Sequence, residues 1–218
     1  MNEIVYTIAI WAIPILFAIT LHEASHAYVA KYFGDKTAYS LGRMSLNPVR
    51  HIDPLGTVII PVALLLLKSP FIFGYAKPVP VNAGNLRNPR SSFALVALAG
   101  PLSNLVMALM WQIAKIVFVL TGITIPVLLK MTEMGILINL VLFAFNLFPI
   151  PPLDGGRILT SILPLHLARS FARIEPFGFF IVLGLIYFGM LNYWMRPLVK
   201  FGAVTIQTVL LPLSFLWR

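Results

Sequence analysis

The chain has 218 residues, of which 59% are hydrophobic and 11% are charged, and its mean hydropathy is +0.91. A composition this apolar excludes an ordinary soluble domain and predicts several transmembrane segments within one membrane-embedded domain. The formal net charge of +9 is better explained by basic loops facing anionic lipid than by binding to nucleic acid.

The first third of the chain is predicted to contain one membrane helix and an irregular region. The helix covers residues 4–33 and includes Pro14, which a membrane helix tolerates. Its apolar start lacks a basic stretch and a cleavage site, so we expect it to stay in the protein. A polar loop covers residues 35–53, and the apolar residues 55–73 are followed by extended chain and turns over residues 74–90.

The rest of the chain is predicted to be helical between short turns. Two membrane helices, an amphipathic segment and a final apolar pair cover residues 91–121, 131–148, 155–174, 176–195 and 197–216, respectively. The last turn is placed at Arg196-Pro197, because proline ends or kinks a helix. The fold class is therefore an all-α polytopic membrane protein with five to six apolar segments and a re-entrant or β-hairpin region. Residues 1–218 form a single domain with its core at 4–157 and a C-terminal part at 158–218.

Basic residues predict the orientation of this domain in the membrane. If the loop at residues 31–53 faces the cytoplasm and residues 54–90 return to that side, 11 of the 16 Lys and Arg residues are cytoplasmic. The positive-inside rule favours this orientation, with the N-terminus outside. Lys68 is undecided. A full span at residues 55–73 would largely cancel the bias, so we favour a segment that dips into the bilayer and returns.

The stretch HEASH at residues 22–26 places three ionisable residues in an apolar helix, where they are costly unless they serve a function. His22 and His26 are four residues apart and share one helix face, so their imidazoles can bind one metal ion. Glu23 lies beside this face. The pattern H-E-x-x-H is typical of two zinc ligands and a general base. The alternative, two structural histidines with a chance glutamate, is disfavoured by the membrane setting.

A catalytic zinc site takes three protein ligands and leaves a fourth position open. No cysteine is present, and among the 7 acidic residues Asp154 is the best candidate. It follows an apolar helix that ends at the cytoplasmic level, where the histidines lie. In the surrounding stretch NLFPIPPLDGG, the prolines open the helix, and Gly155 and Gly156 permit a tight turn. The alternative is an exposed aspartate at an ordinary helix end.

Three motifs together resemble one protein family. HEASH in the first helix, AGPLSN in a later helix and NLFPIPPLDGG at the end of another are similar, in this order, to motifs of the site-2 protease family of intramembrane zinc metalloproteases. The segments GRMSLNPVRHIDPLGT and FGYAKPVPVN resemble the chain between the first two motifs in small prokaryotic members. The resemblance covers residues 17–157. The peptide-binding domain that some members insert is missing, since only residues 115–130 lie at its position.

The resemblance implies one zinc ion per chain, held by His22, His26 and Asp154, with Glu23 as the catalytic acid/base. Two asparagines also match family motifs and are candidate substrate or oxyanion groups: Asn104 and Asn146. Asn146 could stabilise a developing oxyanion, although a role in packing between helices is nearly as well supported. For Asn104 packing is favoured, because the glycine and serine beside it indicate a close-packed helix interface.

The stretch FGYAKPVPV offers a candidate strand for binding substrate. Pro78 and Pro80 lack the N–H groups of one strand edge, whereas Val79 and Val81 keep theirs on the other edge. Proline is confined to edge strands, and an edge strand near the zinc could bind an unwound substrate by strand addition. The alternative is a solvent loop stiffened by proline.

These observations predict an intramembrane zinc endopeptidase that cleaves in or near transmembrane segments. Its expected partners are a membrane-spanning protein substrate and the lipid bilayer, without nucleic acid, and its oligomeric state is left open. We expect a multi-pass protein of a prokaryotic cell membrane with its active site toward the cytoplasm. A metal transporter is disfavoured because transport needs no general base at Glu23, and an inactive scaffold because the ligand set is intact. His51 and His166 are expected to be structural or solvated.

Overall fold

The computed structural model describes residues 3–67 and 74–212, and within these ranges all regular secondary structure is helical. The α-helices there are α1 Glu3–Tyr32, α2 Thr37–Ser40, α3 Ile60–Leu66, α4 Pro89–Leu120, α5 Pro126–Asn146, α6 Asp154–Ile162, α7 Leu165–Ala172, α8 Glu175–Tyr187 and α9 Leu191–Leu210. A π-helical stretch precedes α3 at Pro54–Ile59, and short 3-10 turns lie at Pro48–Arg50 and Ala83–Asn85. The predicted all-α class is confirmed.

Three helices are long and apolar enough to cross a membrane: α1 from Ile10 onward, α4 and α5. The pair α7 and α8 meets the same criterion only when joined, and it is bent by 68°. By length and composition the described residues therefore contain three candidate spans, or up to four, and the predicted five to six segments are not confirmed. The helix α9 is not among the candidate spans, and it carries Arg196 and Lys200.

The three long helices pack against one another, and α9 packs on α4 and α5. A buried apolar cluster joins α9 to these two helices through Ala108, Leu140, Ile206 and Leu210. Most of the buried apolar positions on α1 are alanines, at residues 18, 24, 27 and 30. Small side chains let membrane helices approach closely. This packing brings α1, which carries the first motif, against α4, which carries the second.

The C-terminal helices begin and end at other positions than predicted. The turn between α8 and α9 is made by Gly189 at φ 68°, whose N–H donates to the Ile186 carbonyl oxygen at 3.0 Å. A glycine in the left-handed region is a strong helix stop, whereas Pro197 lies inside α9. The predicted turn at Arg196-Pro197 is wrong, because the chain turns at Gly189 and the helix continues through Pro197. The predicted amphipathic segment is two helices, α6 and α7, separated at Leu163-Pro164.

The region between the first two motifs is only partly described. Helical chain covers residues 54–66, and residues 68–73 lie outside the described residues, so a return to the same membrane side stays a prediction. Residues 74–82, called here the extended segment, run without regular secondary structure. The predicted β-hairpin is therefore not confirmed in the described part of the chain.

Hydrogen bonds hold the start of the extended segment against residues 51–57. The Lys77 N–H donates to the His51 carbonyl oxygen at 3.0 Å, and the Tyr75 N–H donates to that of Gly56 at 3.1 Å. The Arg43 guanidinium donates to the Lys77 carbonyl oxygen at 2.7 Å. The segment thus has a fixed path although it lacks a strand partner.

Asp35 holds the other end of the extended segment against the end of α1. Its buried carboxylate accepts hydrogen bonds from the Asn82 N–H at 2.7 Å, the Asn85 side chain at 3.1 Å and the Thr37 N–H at 3.0 Å. Burial opposes ionisation, but these bonds outweigh it and hold the pKa of this carboxyl below its ordinary value. The hydrogen bonds to the Asp35 carboxylate therefore stabilise the fold at neutral pH, and this stabilisation is lost only as acid protonates Asp35.

Candidate metal centre

Three predicted ligand residues meet where α1 contacts the start of α6. The Nε2 atoms of His22 and His26 lie 3.1 Å apart. The Oδ2 atom of Asp154 lies 3.1 Å from the first of these atoms and 3.3 Å from the second. All three side chains are buried, and they form the one group of three such residues within the described chain whose ligand atoms could share a metal ion.

The turn before α6 explains why glycines follow Asp154. A Cβ atom on Gly155 would lie 2.2 Å from the Leu147 carbonyl oxygen, and one on Gly156 would lie 2.1 Å from the Pro151 nitrogen. Only glycine lets the chain that leaves α5 pass this close to the first turn of α6. The turn thereby brings Asp154 back to the level of the α1 histidines.

Hydrogen bonds on the outer side of each imidazole determine which nitrogen faces the centre. The Nδ1 atom of His26 lies 2.7 Å from the Val96 carbonyl oxygen, which can only accept, so this nitrogen carries the hydrogen. The Nδ1 atom of His22 lies 2.7 Å from Asn104 Oδ1. In the neutral imidazoles, both Nε2 atoms then present lone pairs to the centre, as metal-binding histidines do.

The arrangement of these three atoms fits a zinc ion. Asp154 Oδ2 is buried and has no hydrogen-bond partner among the described residues, and a buried carboxylate needs a counter-charge. Tetrahedral zinc with bonds of about 2.0–2.1 Å holds its ligand atoms about 3.3 Å apart. The observed separations of 3.1–3.3 Å are close to this value, and nitrogen and carboxylate oxygen are ligands that zinc accepts.

Gly100 on α4 leaves the space in which the two imidazoles lie. A Cβ atom there would lie 2.4 Å from His26 Nε2 and 2.6 Å from His22 Nε2. The sequence indicated close packing at this glycine of AGPLSN, but it did not indicate that the group packed against it is the ligand pair. The second motif therefore contributes to the site by the absence of a side chain.

Glu23 directly follows His22 on α1 and contacts the extended segment. Its Oε2 atom accepts a hydrogen bond from the Val79 N–H at 2.8 Å. The Val79 side chain is buried against Ala27 and Ala38. The sequence predicted that this N–H serves an open strand edge; in the structure it binds the candidate base instead. The sequence offered no signal for this contact beyond the closeness of both stretches to the predicted zinc.

The two asparagines of the family motifs have different surroundings. Asn104 is fully buried and uses both amide N–H groups, toward the Ala18 carbonyl oxygen at 3.3 Å and Asn139 Oδ1 at 3.0 Å. It has no donor left for substrate, so the geometry favours the packing role over the oxyanion role. Asn146 is half-buried and donates to the Leu142 carbonyl oxygen of its own helix at 3.0 Å.

The two remaining histidines lie apart from the centre. His51 is buried, and its Nε2 atom lies 2.7 Å from the Ser45 carbonyl oxygen. His166 is exposed on α7. Neither belongs to the group of potential metal ligands among the described residues.

Comparisons with known proteins agree with this geometry. Residues 112–188 match the model of peptidase family M50. YwhC of Bacillus subtilis is 37% identical over 195 residues, which cover 87% of this chain and 85% of the relative. Rip2 of Mycolicibacterium smegmatis is 31% identical over 192 residues, covering 84% of this chain and 69% of the relative. MJ0392 of Methanocaldococcus jannaschii is 30% identical over 155 residues, which cover 71% of this chain and 34% of the relative.

The names of all three relatives include the words zinc metalloprotease. No solved structure matches the chain at a significant level. The match to YwhC extends over most of both proteins. Because of this similarity, together with the family match, the chain belongs to peptidase family M50, the site-2 proteases.

Proposed function

We infer that the protein is an intramembrane zinc endopeptidase that hydrolyses peptide bonds in or near transmembrane segments of membrane proteins. The observation that carries this function is the group of His22, His26 and Asp154, which fits one zinc ion, with Glu23 beside it on an apolar helix. Ionisable side chains at such positions are costly and are retained for function.

His22, His26 and Asp154 would hold the metal ion. When bound, zinc lowers the pKa of a water molecule to about 7 and polarises the scissile carbonyl group. Glu23 receives the proton of the attacking water and transfers it to the leaving amine nitrogen. Asn146 is retained as the candidate that stabilises the developing oxyanion, since one of its amide N–H groups is bound to Leu142 and the other can turn toward substrate.

The extended segment would hold an unwound substrate next to Glu23. A helical substrate hides its peptide bonds, and backbone N–H and C=O groups of an extended chain can bind it by strand addition. The Val79 N–H already binds Glu23, whereas the Val81 N–H has no partner among the described residues. Val81 is therefore the position at which a backbone bond to substrate is best supported.

Replacing Val81 by proline is expected to slow cleavage about two- to tenfold relative to Val81→Ala. Proline removes the N–H while alanine keeps it, and one hydrogen bond contributes about 0.5–1.5 kcal/mol. Cleavage rates of the two variants at equal zinc content provide the measurement. Equal rates would show that this backbone group does not bind substrate.

Replacing Gly100 by alanine is expected to abolish zinc binding. A Cβ atom there cannot coexist with imidazole nitrogens 2.4–2.6 Å away, so the ligands must separate. Gly184→Ala is the matched control, since a Cβ atom on Gly184 meets nothing within 4 Å. Zinc content and thermal unfolding of both variants test the expectation. Zinc bound by Gly100→Ala as tightly as by the control would show that the centre does not lie against this glycine.

The protein would cross a prokaryotic cell membrane several times, with the metal centre toward the cytoplasm. Its relatives occur in bacteria and an archaeon, and the positive-inside rule favours this orientation. Because the chain has no cysteine, single introduced cysteines can show on which side of the membrane a residue lies. We expect Lys36→Cys and Asn88→Cys to react with an impermeant reagent from one face and Ile123→Cys from the other. Reaction of Lys36→Cys and Asn88→Cys from opposite faces would mean that residues 55–73 span the membrane.

Metal analysis of the purified protein, paired with cleavage of a peptide that contains a transmembrane segment, tests the function. We expect about one zinc ion per chain and cleavage that a chelator stops and zinc restores. A transporter would instead move metal ions into sealed vesicles that contain the protein and would leave membrane peptides intact. That result would overturn the proposal.

A further inference from the structure

Asn139 on α5 is a buried polar residue that neither the motifs nor the proposed mechanism uses. Its side chain is fully buried. The amide nitrogen Nδ2 donates to the Gly135 carbonyl oxygen at 2.8 Å, one helical turn earlier. The amide oxygen Oδ1 accepts from Asn104 Nδ2 at 3.0 Å. Asn139 therefore joins α5 to the asparagine that binds the ligand histidine His22.

The Gly135 carbonyl group fixes the orientation of the Asn139 amide, and Asn139 in turn fixes the orientation of the Asn104 amide. The Gly135 oxygen can only accept, so Asn139 must turn its Nδ2 toward α5 and its Oδ1 toward Asn104. Asn104 must then present Nδ2 to Asn139 and Oδ1 to His22. The hydrogen of His22 is thereby placed on Nδ1. The Nε2 lone pair is left facing His26 and Asp154, which is the form that binds a metal ion.

We propose that Asn139 is a positioning residue of the metal centre: through Asn104 it fixes the tautomer and ring orientation of His22. The inference rests on the proposed zinc site. Outer hydrogen-bond partners of metal-binding histidines raise affinity by holding the ring in its binding orientation. Asn139 extends this arrangement by one residue and anchors it to the rigid backbone of α5.

The Ala18 carbonyl oxygen also accepts from Asn104 Nδ2, but its distance of 3.3 Å is longer than the 3.0 Å to Asn139. Without Asn139, one N–H of the buried Asn104 amide has no partner, and an unpaired buried donor is costly. An amide turned by 180° would present N–H to His22 Nδ1, which forces the imidazole hydrogen onto Nε2. That form of His22 cannot bind the metal ion.

The rival explanation is that Asn139 is only a buried polar group that stabilises its own part of the helix bundle. The control for it is Thr132→Val, because Thr132 is also fully buried on α5 and bonds the Leu129 carbonyl oxygen of its own helix. Both Asn139→Leu and this control remove a buried polar group from the same helix. Only the first removes a contact that leads to His22.

The experiment measures zinc affinity by chelator competition, the visible spectrum of the cobalt(II)-substituted protein, and thermal unfolding. We expect Asn139→Leu to weaken zinc binding about tenfold and to alter the cobalt spectrum, while Thr132→Val changes neither. Asn139→Ser is expected to behave like the leucine variant, because a serine hydroxyl bonds its own helix backbone and leaves Asn104 unpaired. It replaces Asn139→Leu if that variant does not fold.

Asn139→Asp is expected to restore wild-type affinity within about twofold, since a buried carboxyl group stays protonated and keeps both an O–H donor and a carbonyl acceptor. Unchanged zinc affinity and cobalt spectrum in the leucine and serine variants would overturn the inference while leaving the zinc site in place. Equal losses in Asn139→Leu and Thr132→Val would also overturn it. Failure of the wild-type protein to bind zinc would instead overturn the proposed function on which it rests.

Discussion

Replacing Glu23 by glutamine is expected to abolish proteolysis while zinc stays bound. Glu23 is not one of the three converging ligand residues, so its charge is not needed to hold the ion. Glutamine cannot accept and release the proton, and a positioned acid/base contributes about 10²–10⁴-fold to rate. The glutamine oxygen can still accept the hydrogen bond that Val79 donates at 2.8 Å. The extended segment should therefore keep its position.

The measurement pairs the cleavage rate of a membrane-spanning peptide with zinc content per chain. Glu133→Gln is the control, because Glu133 is a partly exposed acid near the start of α5 that pairs with Lys115 and Lys130, and we expect it to cleave at the wild-type rate. Cleavage by Glu23→Gln at that rate would remove Glu23 from the mechanism. Loss of zinc from the same variant would mean that Glu23 is a ligand.

The long helices could be predicted from the sequence because lipid leaves a spanning chain few alternatives to a helix. The helix predicted at residues 4–33 is observed at Glu3–Tyr32, and the one at 91–121 at Pro89–Leu120. The errors occur where local signals compete. The start of α5 was predicted at residue 131, although Pro126 suits the first turn of a helix, and Gly189 outweighs Pro197 as a helix stop.

The candidate metal ligands differ in how directly the sequence indicates them. His22 and His26 follow from spacing within one helix, which is a local property. Asp154 required a topology that returns the end of α5 to the level of α1, and the structure brings the three together. The sequence could identify the chemistry of the site because few ionisable residues lie in the apolar segments.

The supporting contacts could not be predicted from the sequence. The bond between Val79 and Glu23 joins residues 56 positions apart, and that between Asn104 and Asn139 joins residues 35 positions apart. Such contacts depend on how helices rotate and pack, and a single sequence does not encode this in a periodic pattern. The role of Gly100 was missed for the same reason: a glycine indicates close approach but not the identity of the neighbour.

Replacing Asp154 by alanine is expected to remove zinc and activity. Loss of an outer partner of a ligand costs about 10–100-fold in metal affinity, so loss of a ligand should cost more. The carboxylate Oδ2 faces two imidazole nitrogens and has no hydrogen-bond partner among the described residues. The alanine variant lacks this ligand, so zinc should no longer stabilise its folded state.

Asp35→Ala is the matched control for this variant, because Asp35 is also a buried aspartate but its carboxylate is hydrogen-bonded. We expect it to destabilise the metal-free protein by about 2 kcal/mol or more, since bonds to a charged group contribute about 1.5–3 kcal/mol each, and to keep zinc. Thermal unfolding with and without zinc separates the two variants. Zinc at 100 times its Kd should stabilise wild type and Asp35→Ala by about 2.7 kcal/mol and Asp154→Ala hardly at all. If zinc raised the free energy of unfolding of Asp154→Ala as much as that of wild type, another residue would be the third ligand.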